Sequence, residues 1–147
     1  MSSIFLQKAE KSFRQNKKIF LLFCQNSFLG IFYNIGISFY GGKVMQIHAE
    51  NRGRTLYMIL RGEIDEHNAA SSRLAADGIA DEGAGYIDRA VIDLGGVSFM
   101  DSTGIGFLIG RYKRFSKYGI PMYVTNLSST NDKILQMSGV YSIIPKI

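Results

Sequence analysis

One stretch of twenty-odd residues constrains this chain more than any other, because its apolar periodicity changes from that of a strand to that of a helix. Ala90-Val91-Ile92-Asp93-Leu94 reads as a buried strand, while Ile105, Leu108, Ile109, Tyr112 and Phe115 recur at helical spacing. Between them stands Val97-Ser98-Phe99-Met100-Asp101-Ser102-Thr103-Gly104. A strand that feeds a helix through a short polar turn is the building unit of a parallel α/β sheet. Ser102 is thereby presented where the first backbone N–H groups of a helix lack partners and the dipole end is positive. Such a place holds a phosphate well. It suits a catalytic nucleophile only if a base stands nearby.

The rest of the pattern agrees with that class. Met45 to Glu50 and Arg54 to Leu60 alternate as strands, with Asn51-Arg52-Gly53 as a hairpin turn and Leu56, Met58 and Leu60 on one face. Asp65 is placed to cap an Ala-rich helix that runs to about Ala80. Asp81 to Gly85 reads as a loop, and Ile87 to Leu94 as a strand buried on both faces. Gly119 closes the helix after Ser102, Pro121 opens a strand Met122 to Asn126, and Ser128 or Ser129 caps a short helix ending at Gly139. Tyr141 to Ile144 is expected as a last strand. The sum is a mixed, mostly parallel sheet opened by an antiparallel hairpin, with helices packed on it.

Charge separates the chain into two parts. Residues 1–44 hold six of the 17 Lys and Arg residues and one of the 12 acids, which leaves eleven of each in residues 45–147. The neutral part has no basic excess, so nucleic-acid binding loses its electrostatic support. Arg111, Lys113, Arg114 and Lys117 cluster late in a helix, where cations suit the negative dipole end.

The first 44 residues are set apart in other ways too. Residues 19–42 carry no charged side chain, long enough to cross a bilayer. Gln25, Asn26, Asn34 and Ser38 interrupt them, and the preceding basic residues would hold the N-terminus inside and place residues 45–147 outside. Residue types with AT-rich codons (Phe, Ile, Lys, Asn, Tyr) make up 22 of these 44 residues but 30 of the other 103. Gly41-Gly42-Lys43, which a purine-rich ribosome-binding sequence can encode, stands just before Met45. The expectation is a domain over 45–147, with 1–44 either translated upstream DNA or a membrane anchor.

Enzymatic chemistry finds little support. The single Cys24 excludes an internal disulfide, and His48 and His67 lack the partners a zinc site needs. Gly104-Ile105-Gly106 lacks the third glycine of a dinucleotide loop, so no cofactor is expected. His67 near Asp65 is the one candidate base for Ser102, and the loop is not a nucleophile elbow. Taken alone, Asp101-Ser102 is a helix cap, and Glu63, Asp65 and Glu66 are a solvated capping cluster.

Phe99-Met100-Asp101-Ser102-Thr103-Gly104-Ile105-Gly106 nevertheless resembles the phosphorylation loop of the anti-anti-sigma factors, bacterial members of the STAS domain family. Leu60-Arg61-Gly62-Glu63-Ile64-Asp65, Gly110-Arg111-Tyr112-Lys113 and Met137-Ser138-Gly139-Val140-Tyr141-Ser142-Ile143-Ile144 extend the likeness, which is strongest to the sporulation members of the sigma-F pathway. The resemblance implies the STAS fold, although the C-terminal helix usual in that family is missing here. It further implies a cytoplasmic regulator without an active site, which binds an anti-sigma factor that is also a serine kinase and so releases the sigma factor. The kinase would phosphorylate Ser102, and a metal-dependent serine phosphatase would reverse this. Gly62, Glu63, Asp65, Asp101, Ser102, Thr103, Gly104 and Ile105 would form the partner-binding surface. A stressosome-like scaffold or a membrane-tethered sensor is the alternative setting for such a module.

Overall fold

The structure is a computed structural model that describes residues 32–36 and 45–147. Cys24, and the residues of the 19–42 stretch other than 32–36, lie outside the described residues. Five strands form a single sheet in the order β1 (Phe32–Gly36), β2 (Gln46–Arg52), β3 (Thr55–Ile64), β4 (Arg89–Met100) and β5 (Met122–Thr125). The first three run antiparallel to their neighbours, whereas β3–β4 and β4–β5 are parallel. Three helices follow the parallel strands: α1 (Glu66–Gly83), α2 (Ser102–Ser116) and α3 (Ser129–Ser138). This is the expected mixed sheet, opened by an antiparallel hairpin, with its parallel pairings where helices follow the strands. The sheet gains an outer antiparallel strand at Phe32–Gly36, which the sequence pattern does not single out.

Period-two alternation sets the register. Ala49, Met58, Ile92 and Val124 line up across four strands, and Leu56, Ala90 and Met122 form the next row. All are buried beneath α1 and α2, which present Ala69, Ala76, Ile79, Phe107, Leu108 and Phe115 to the sheet. Each such large side chain removed from water contributes about 1.5–3 kcal/mol. His48, Tyr57, Ile59 and Tyr123 lie on the opposite face and are half-buried.

Three elements depart from the sequence expectation. Residues 141–144 are not a strand: Gly139 turns into a left-handed conformation (φ 74°), Val140–Ser142 make one 3-10 turn, and Val140 and Ile144 fill the core. The sheet is instead continued by Lys146, which bridges to Val124 in parallel. Strand β4 runs six residues beyond Leu94, because two register shifts let Gly96, Val97, Phe99 and Met100 stay paired with β3 while Ser98 is left out of the pairing. The buried face of α2 is also rotated. Phe107 and Arg111 point inward, while Ile105, Ile109 and Tyr112 are only half-buried.

Candidate functional site

The carboxyl ends of parallel strands, where helices begin, are where α/β sheets place their sites. Here Gly62 pairs with Val97, Glu63 with Phe99 and Ile64 with Met100. The register therefore delivers Asp65 and Asp101 to neighbouring positions, each capping a helix. Asp65 Oδ1 accepts from the backbone N–H of Asn68 at 3.0 Å and from its Nδ2 at 3.1 Å. Asp101 Oδ1 accepts from the N–H groups of Thr103 (2.7 Å) and Gly104 (3.3 Å). Both satisfy orphan donors of a first helical turn and put a carboxylate at a positive dipole end.

Ser102 is the first residue of α2. It is exposed, and among the described residues its hydroxyl has no hydrogen-bond partner. The capping carboxylate of Asp101 points back at the helix, so the serine on its far side is left to solvent. Thr103 and Ile105 are half-buried. Gly104 is buried for a packing reason. A Cβ there would stand 2.1 Å from Cγ of Met100, so only glycine lets the strand end and the helix start approach so closely.

Gly62 adopts φ 103°, a conformation that L side chains rarely take, and its carbonyl accepts from Ser98 Oγ at 3.3 Å. Glu63 and Asp65 are half-buried beside it. The structure thus brings all eight sequence-derived residues to one end of the sheet, seven at least partly accessible and Gly104 beneath them.

Two features are not legible in the spacing. The first is Phe99, a large ring left 50% exposed between the two caps. The second is the far end of α2. Arg111 is only 4% exposed; its Nη1 donates to the carbonyl of Arg73 at 3.2 Å and its Nη2 lies 3.0 Å from Asp77 Oδ1. That second contact is an ion pair whose angles do not make a hydrogen bond. Burial pulls the Arg111 pKa below the ordinary guanidinium value, and Asp77 opposes this. Arg114 forms a bidentate pair with Asp81, which also accepts from Tyr118 Oη at 2.7 Å. Two of the four clustered cations thus bind α1 rather than serving only as solvated helix-end charges. A pattern of Asp77 and Asp81 on one helix against Arg111 and Arg114 on another, each pair spaced three or four residues apart on one helical face, is the signal that could have located the clamp.

Comparison with known proteins places the site in context. A model of the STAS domain matches residues 46–147. The anti-sigma F factor antagonist of Paenibacillus polymyxa is 32% identical over 101 residues, covering 69% of this chain and 85% of that one. The anti-sigma-B factor antagonist of Bacillus subtilis is 34% identical over 85 residues, covering 58% and 74%. Among solved structures, the anti-sigma factor antagonist SpoIIAA in its unphosphorylated form superimposes with a TM-score of 0.57 at 24% identity, covering 69% of this chain and 87% of that chain.

Proposed function

The chain belongs to the STAS domain family, and on that premise we propose that it is an anti-sigma factor antagonist whose docking is switched off by phosphorylation of Ser102. The observation that carries the reading is the exposed, unpartnered serine at the first position of a 15-residue helix, flanked by Asp101 and set beside Gly62, Glu63 and Asp65. The anti-sigma factor it binds is itself a serine kinase, and binding releases the sigma factor. In the kinase's cleft, Ser102 Oγ attacks the γ-phosphorus of ATP, its proton passes to a base of the kinase, and ADP leaves. A metal-dependent serine phosphatase returns the hydroxyl by hydrolysis. The chain itself is a regulator and not an enzyme.

Local electrostatics suffice for the switch. Phosphate adds about −1.5 to −2 charges and three acceptor oxygens. The positive dipole end of α2, whose N–H groups at Thr103 and Gly104 now bond Asp101, favours that charge without refolding of the domain. The surface, already lined by Glu63, Asp65 and Asp101, becomes strongly anionic, and complementarity to the partner is lost. Every residue of this surface lies within 62–105, which supports placing the function in residues 45–147. ATP-dependent phosphorylation belongs to the cytoplasm. Among the described residues no helix is long and apolar enough to cross a membrane.

Incubation with the kinase and ATP followed by mass spectrometry tests the assignment. Phosphate is expected on Ser102, and its appearance on Thr103 or Ser98 with Ser102 unmodified would overturn it. Ser102→Ala should bind the kinase as the wild type does, and Ser102→Asp about 100-fold more weakly, which corresponds to about 3 kcal/mol.

A further inference from the structure

Strand alternation should bury Phe99. Val97 faces the core, so without a bulge Phe99, two residues on, would follow it inward and Met100 would face out. The reverse is observed: Met100 is buried and Phe99 is half exposed. The cause is the extra residue Ser98. Gly62 and Glu63 are consecutive on β3, but their partners Val97 and Phe99 are two apart, so Ser98 is looped out of the pairing. Ser98 is held there by its hydroxyl bond to Gly62, whose left-handed backbone accommodates the irregularity. Bulges next to functional sites commonly serve to re-aim a side chain.

We infer that Phe99 is the apolar anchor with which this surface grips the kinase, and that the Ser98 bulge exists to turn it outward. The inference rests on the proposed phosphorylation of Ser102, because that step identifies the occupant. A kinase that brings its cleft onto Ser102 Oγ must also cover a ring three residues away on the same sheet end. Around the ring the surface is polar and acidic, through Glu63, Asp65 and Asp101. A single aromatic inside a polar rim is the usual anatomy of an interface hot spot. Charge then supplies discrimination between the phosphorylated and free forms, and Phe99 supplies affinity common to both. Substrate and transition state engage the ring equally, so its loss should raise KM and leave kcat unchanged.

The test uses the full chain with the purified anti-sigma F kinase, measuring binding by calorimetry and Ser102 phosphorylation by steady-state kinetics. Phe99→Ala is expected to weaken binding roughly 30-fold, with an unchanged urea midpoint and an increase confined to KM. Phe99→Leu, which keeps an apolar side chain, should restore most of the affinity. If Ser102→Asp abolishes binding while Phe99→Ala binds as tightly as the wild type, the anchor is disproved and the phosphorylation reading stands. If the wild type neither binds the kinase nor accepts phosphate, both fall.

Discussion

The two ends of α2 solve opposite problems with the same few residue types. At its C-terminal half, Arg111 and Arg114 are tied to Asp77 and Asp81 of α1, with Tyr118 joining the second pair. Phe107 lies under Arg111, whose guanidinium carbon is 5.0 Å from the ring centre. At its N-terminal end, by contrast, the Asp101 carboxylate is occupied by backbone N–H groups, and the serine next to it has no hydrogen-bond partner among the described residues. The first end fixes the helix against its neighbour. Under the proposed function, the second would then take up the charge of a phosphate as a local event. A helix held only at its first turn would have to reorganise when that turn is modified.

The largest effect should come from breaking the clamp. Asp77→Ala strands the buried Arg111 without a counter-charge, a loss of about 3 kcal/mol in unfolding free energy. Urea denaturation measures it, and the fraction that remains folded should still be phosphorylated on Ser102. A loss of phosphorylation at full folding would show that the two ends are not independent.

At the other end the balance should invert. Asp101→Ala removes the cap of α2 and costs about 1 kcal/mol of stability. An unfolding loss as large as that of Asp77→Ala would place the structural burden on the N-terminal turn and remove the contrast between the two ends.

The smallest effect is a pH dependence at the far edge of the sheet. Burial, and then hydrogen bonding to Asp132, raise the pKa of Tyr141 well above its ordinary value of 10. Asp132 is held below the ordinary carboxylate range by Tyr141 and Lys146. For a tyrosine whose folded pKa is raised, the stability contribution is complete below the unfolded pKa and is lost as pH climbs through the folded one. Stability should therefore decline in alkaline solution above pH 10, and Tyr141→Phe should flatten that decline. An alkaline limb that is the same in both proteins would show that Tyr141 is not its source.

Much of the fold is legible in the chain because burial writes itself as periodicity. The alternation of Leu56, Met58 and Leu60 marks the inner face of β3, and Asp65, Asp101 and Ser128 mark three helix starts by their capping chemistry. Tyr141 to Ile144 misleads because a short apolar run has no period of its own. The left-handed Gly139 and the core positions of Val140 and Ile144 decide there for a 3-10 turn. The helical face after Ser102 misleads for another reason. An arginine counts as polar in any pattern, and its burial depends on an acid 34 residues earlier in the chain.

By itself, then, the sequence determined the strand-to-helix order, the caps, and the loop that presents Ser102, since each follows from contacts between residues close along the chain. Only the tertiary structure decided that the loops at Gly62–Asp65 and Asp101–Ile105 form one surface, because that depends on the register of β3 against β4. It alone decided that a bulge turns Phe99 outward and that Arg111 turns inward. Register, bulges and ion pairs between helices are settled by which distant backbone comes to lie alongside, and no local period along the chain records that choice.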